Sequence, residues 1–133
     1  MPHLNWLAVL AAAVSAFALG GLWYSPVLFG RAWMSVNNLT EADLAKGNMT
    51  KIFGLALLFE VIMAANLVAF LAEPKTSAAW GATAGFLAGF GWVALAIATI
   101  ALFERRSWKY MLINGVYMTL SFVIMGLIIG AWR

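Results

Sequence analysis

A chain of 133 residues with 65% hydrophobic and 10% charged residues is far from the balance of a soluble globular domain, in which about a quarter of residues are charged. It needs lipid as its solvent, and its apolar stretches leave no room for a separate soluble catalytic module. A net charge of +3 is too small to give a nucleic-acid reader its basic face, and the absence of cysteine excludes disulfides, thiol nucleophiles and thiolate metal sites.

Four segments, 3–22, 51–72, 79–103 and 108–132, are apolar enough to cross a bilayer, which takes about 20 residues at roughly 1.5 Å each. They predict an all-α, polytopic four-helix membrane bundle occupying 1–133 as a single domain. The first could be mistaken for a secretory signal, but Met1, Pro2 and His3 supply no positive charge, so it is expected to remain a helix. Within it Ala8, Ala12, Ala16 and Gly20 recur every fourth residue, a small-residue face suited to close helix contact.

Pro26 lacks an amide hydrogen and disfavours helix at Ser25, so the first helix should end there. Around it lies an aromatic elbow of Trp23, Tyr24, Phe29 and Trp33, with Arg31 among them. Amphipathic rings favour head-group depth and an arginine can reach phosphates from it, so the elbow reads as an interfacial anchor expected to pack against the 103–109 turn. Further on, Thr40 followed by Asp43 has the spacing of a capping box and Gly47 is a stop, predicting a short cytoplasmic helix over 41–46. Asn38-Leu39-Thr40 and Asn48-Met49-Thr50 match the glycosylation sequon, but the charge pattern below places them inside, so both matches are read as accidental.

The second segment contains Glu60, an ionisable group well inside a predicted span. It lies nine residues beyond Lys51, roughly 13 Å along a helix. An ionised carboxylate at that depth costs about 3 kcal/mol on insertion scales, so it should be protonated, hydrogen-bonded or facing water. The fourth segment offers partners, because Tyr110, Asn114, Tyr117 and Ser121 recur on one helical face and Tyr117 matches the depth of Glu60. Ser15 on the first segment falls at a similar level. A polar cluster of Glu60, Asn114, Tyr117 and Ser15 is therefore expected, as either a neutral interhelical clamp or a proton or ion relay. Asn66 points about 120° away and should bond elsewhere. In the third segment Gly81, Gly85 and Gly89 form a second small-residue face, for packing the bundle or for dimerisation.

Orientation follows from lysine and arginine placement. Arg31, Lys46, Lys51, Arg105, Arg106 and Lys109 fall on one side and Lys75 and Arg133 on the other, which predicts both termini outside the cytoplasm of an inner-membrane protein. The Glu73-Pro74-Lys75 hairpin would lie outside. Glu104, Arg105, Arg106, Trp108 and Lys109 would form a tight inner turn whose charges serve topology and anionic lipid head groups. No metal or cofactor is expected, since His3 has no ligand spacing around it and neither a P-loop nor a dinucleotide fingerprint occurs.

Two motifs carry a resemblance over nearly the whole chain. Trp23-Tyr24-Ser25-Pro26, Leu28-Phe29-Gly30, Trp33, Leu39-Thr40-Glu41 and Asp43 form the first. Phe103-Glu104-Arg105-Arg106, Trp108-Lys109, Leu112-Ile113-Asn114, Tyr117, Gly126 and Trp132 form the second. Together they resemble a family of small, mostly bacterial membrane proteins catalogued as a domain of unknown function. The resemblance implies a compact four-helix membrane domain and no assigned substrate, cofactor or reaction. Asn114 and Tyr117 belong to that pattern, whereas Glu60 does not. Two functional readings follow: an oligomeric membrane interaction or structural protein, and a small proton- or ion-coupled transporter or channel subunit using Glu60 and the Asn114/Tyr117 stripe. An enzyme would need polar groups converging near the interface, and no catalytic residue is assigned.

Overall fold

The computed structural model describes residues 5–71, 73 and 76–132. The expected helix start at His3, the hairpin residues Pro74 and Lys75, and Arg133 lie outside them. The described residues form α1 (Trp6–Trp23), α2 (Gly30–Val36), α3 (Glu41–Ala45), α4 (Met49–Phe70), α5 (Ala78–Ala88), a π-helical turn (Gly89–Ala94), α6 (Leu95–Phe103) and α7 (Trp108–Ala131), with no strand. α5, the π turn and α6 run on as one span, so four helices are long and apolar enough to cross a membrane.

All four spans start in the same way. A polar residue stands just before the apolar run and its side chain accepts a first-turn amide: Asn5 from Ala8, Asn48 from Lys51, Ser77 from Trp80 and Ser107 from Tyr110. The first turn of a helix has no internal partners for its amides, so each cap removes an unsatisfied donor near the membrane. Capping also accounts for the two sequon-like triplets. Asn48 caps α4, and Thr40 forms a full capping box with Asp43 at the start of α3.

The elbow contains a helix, α2, that the sequence pattern does not announce. After Pro26 the chain doubles back through Phe29 N–H to Trp23 O and Gly30 N–H to Ser25 O, at 2.9 Å each. A Cβ on Gly30 would stand 2.7 Å from the Ser25 carbonyl oxygen, so only glycine lets the backbone fold this tightly on itself.

α7 is the most buried span, packed between α1 and the third span, while α4 lies against α1. Both small-residue faces are used inside this bundle. Ala12, Ala13 and Ala16 of α1 are fully covered by α4 and α7 side chains. A Cβ on Gly81 would run into the Gly126 carbonyl, and one on Gly85 into the Phe122 carbonyl, so the third span and α7 touch backbone to backbone. The buried small residues of the third span fall at 81, 85, 89 and then 94. The interval lengthens from four to five at the π turn, whose extra residue keeps Ala94 facing Gly115 of α7.

Asn5 Nδ2 donates to the Trp132 carbonyl at 3.3 Å, which brings the two described ends of the chain to one face. α2, α3 and the 104–107 turn lie at the opposite face. Phe103, Trp108, Phe70 and Trp92 are at least two-thirds exposed. Such a surface would aggregate in water and is ordinary against lipid tails.

Candidate functional site

Where α1, α4 and α7 meet, the Tyr117 hydroxyl lies 2.6 Å from Glu60 Oε1 and 3.0 Å from the carbonyl oxygen of Ala16. One phenol therefore touches three spans. Glu60 and Tyr117 are each 6% exposed, and the contact sits between two apolar layers. One layer centres on Val9, Ala13, Leu67, Leu71, Met125 and Ile129, the other on Trp23 and Ile113. Gly20 completes the cradle, since a Cβ there would come within 2.7 Å of the Tyr117 oxygen. Gly20 is thus less a helix-packing residue than the space that the phenol fills.

The proton count of this contact is informative. A phenol has one hydrogen, and the Ala16 carbonyl can only accept. The Tyr117 hydroxyl donates to one of its two neighbours, and the other contact becomes a hydrogen bond only if Glu60 brings a proton of its own. Among the described residues, Glu60 Oε2 makes no hydrogen bond, and Ser121 Oγ makes none of good geometry. The Ser121 hydroxyl sits beside the phenol, one helical turn further along α7.

Asn114 and Ser15 do not join Glu60. Asn114 Oδ1 accepts the Tyr24 hydroxyl at 2.6 Å, and its Nδ2 donates to the Tyr110 carbonyl. It is therefore held one turn nearer the loops, by a residue that depth matching alone does not select. Ser15 is half-buried and takes no part, because it is the neighbouring Ala16 that turns its carbonyl toward the phenol. Asn66 is exposed and bonds back to Ile62 of its own helix.

Trp23 and Tyr24 differ from the interfacial anchor expected of them. Trp23 is 9% exposed, and its indole N–H donates to the Ile113 carbonyl at 2.9 Å. The Tyr24 ring meets Tyr117 edge-on at 5.3 Å and Trp33 at 5.8 Å, while Phe29 lies 4.5 Å from Trp23. The polar tips of Trp23 and Tyr24 find partners on α7 that lipid cannot offer, and this draws the rings inward. Pro26, Phe29 and Arg31 remain on the exposed side of the elbow.

The residues that meet the 104–107 turn are 35–38, just past the Trp23–Trp33 elbow, rather than the elbow itself, whose rings turn to α7. Arg106 Nη1 donates to Asn37 Oδ1 at 3.5 Å, and its guanidinium lies 5.0 Å from the centre of the Tyr110 ring. Arg106, in the turn just before α7, thus leads into a polar stripe of Tyr110, Asn114, Tyr117 and Ser121 along α7, from the loop face to Glu60. Glu104, Arg105, Trp108 and Lys109 are exposed around its outer end.

These features define a polytopic α-helical membrane protein with a buried carboxyl–phenol contact at the junction of three spans. The chain matches, over residues 7–130, the family described as "Protein of unknown function (DUF1761)", and it belongs to that family. No curated protein and no solved structure matches it.

Proposed function

We propose that the protein is an oligomeric interaction or structural component of the inner membrane, with both termini outside the cytoplasm. The observation that carries this reading is the Tyr117 hydroxyl, shared between Glu60 of α4 and the Ala16 carbonyl of α1. With Glu60 neutral, its O–H donates to Tyr117 and the Tyr117 O–H donates to Ala16, an unbroken chain of bonds joining three spans. Polar groups used this way hold helices together without any flux through them. Because the glycine face of the third span is already taken by α7, copies would associate through the outward faces of α4 and the third span, where Phe53, Phe59, Phe86 and Trp92 are exposed.

Infrared spectroscopy of the protein in nanodiscs tests the clamp. A protonated-carboxyl stretch, unchanged across neutral pH and absent from Glu60→Gln, is expected. Native mass measurement from the same discs is expected to return more than one chain, and a monomer would remove the oligomeric part.

A second reading, proton- or ion-coupled transport, is favoured by Glu60 Oε2, buried and without a hydrogen bond among the described residues, with the Ser121 hydroxyl beside the same phenol. Proteoliposomes carrying an internal pH indicator separate the two. Proton flux in the wild type that Glu60→Gln abolishes would replace the structural reading with the transport one.

A further inference from the structure

We propose that the groove between residues 35–38 and the 104–107 turn is a binding site for a phosphate group, most naturally that of an anionic lipid at the loop-side surface of the membrane. The inference does not depend on the role of Glu60. The groove is a largely open surface depression of about 750 Å³, lined by Ser35, Val36, Asn38, Glu104, Arg105, Arg106 and Ser107.

Its chemistry is that of an anion receptor. Neither Arg105 nor Arg106 is paired with a carboxylate among the described residues. Arg106 is nonetheless held in place, hydrogen-bonded to Asn37 and laid over the Tyr110 ring. A planar guanidinium fixed in advance presents its N–H fork to a phosphate at little cost in side-chain freedom. Ser107 Oγ accepts the Tyr110 amide hydrogen, which leaves its O–H free to donate into the groove. Ser35 and Asn38 contribute further donors from the opposite wall.

Asn38 and Arg105 lie one on each wall with φ angles of 54° and 60°, each as the left-handed residue that closes a helix: Leu39 N–H donates to the Met34 carbonyl and Arg106 N–H to the Ala101 carbonyl, so the two walls are two helix ends. Trp108, 74% exposed, follows directly on the turn and marks the level at which indole rings meet head groups. Glu104 is the opposing element, since its carboxylate shares the lining and would repel a phosphate.

Native mass spectrometry from membranes of mixed phosphatidylglycerol and phosphatidylcholine tests the site, with calorimetric titration of inorganic phosphate into phosphatidylcholine nanodiscs as the second arm. The wild type is expected to retain phosphatidylglycerol several-fold over its share of the membrane. Arg105→Gln, whose side chain makes no hydrogen bond or ion pair within the described residues, should lose most of that enrichment while keeping the fold, and Arg106→Gln should lose it too. Glu104→Gln should raise it. Lys109→Gln removes the same charge just outside the groove and should lose clearly less enrichment than Arg105→Gln. Binding of inorganic phosphate that Arg105→Gln abolishes, without lipid enrichment, would keep the site and make its ligand soluble. The absence of both, or equal losses in Lys109→Gln and Arg105→Gln, would overturn the proposal.

Discussion

Tyr117 concentrates three kinds of interaction in one side chain: a short contact to a buried carboxyl, a bond to another helix's backbone and edge-on packing under Tyr24. Tyr117→Phe keeps the ring and removes only the polar links. It is expected to lower stability by about 0.6 kcal/mol and by no more than about 1.7, the average and the maximum measured for interhelical hydrogen bonds in a membrane protein, read as a fall in thermal midpoint in detergent. Gly20→Ala approaches the same site from α1 and pushes the phenol off Glu60, with an expected loss of about 1–3 kcal/mol. Because both changes act on one contact, the double variant should lose less than the two single losses combined. The pairing of Glu60 with Tyr117 was legible from helical depth, since each lies nine residues past the same side of the membrane. Asn114 obeyed the same rule yet found Tyr24, because its partner depends on how the elbow folds back after Pro26, which periodicity does not encode.

The third span and α7 are held by backbone proximity more than by side-chain bulk. Gly81 and Gly126 face each other so closely that either change to Ala must part the third span from α7, whereas a Cβ on Gly91 or Gly54 meets nothing within 4 Å. Gly126→Ala should therefore destabilise by about 1–3 kcal/mol, while Gly91→Ala should be neutral or slightly stabilising. Equal losses at both positions would contradict the seam. α3 is held differently, by Thr40 N–H and O–H donating to Asp43, and these bonds keep the Asp43 carboxyl below the ordinary carboxylate range. Its folded value is depressed, so its contribution is complete above the unfolded value of about 3.9 and disappears as pH falls through the lower folded one. The protection factors of the first-turn amides of α3, with the intrinsic pH dependence of exchange divided out, should fall under those acid conditions, and Asp43→Asn should remove that change. The capping box could be read from Thr40 and Asp43 alone. The π turn could not, although its trace is visible afterwards in the step from four residues to five between Gly89 and Ala94.

For the molecule as a whole, the fold places α3 and Glu73 at opposite ends of the spans, and the absence of cysteine makes each end addressable. Ala42→Cys and Glu73→Cys both lie at exposed positions. If the basic loops are cytoplasmic, a membrane-impermeant maleimide added to intact cells should label Glu73→Cys and leave Ala42→Cys untouched until the cells are opened. The reverse result would invert the orientation, and labelling of both from outside would contradict the fold.

Composition and hydropathy by themselves determined that this chain is a four-span membrane protein, because a bilayer imposes length and apolarity on each span regardless of its neighbours. They also exposed Glu60 as an anomaly that needed a partner. Tertiary structure decided which partners were taken: the Ala16 carbonyl over the Ser15 hydroxyl, Tyr24 for Asn114, and α7 as the mate of the glycine face. Those choices rest on the rotation of each helix about its axis and on the return path of one loop. Close backbone packing sets both, and no periodicity within a single segment records them.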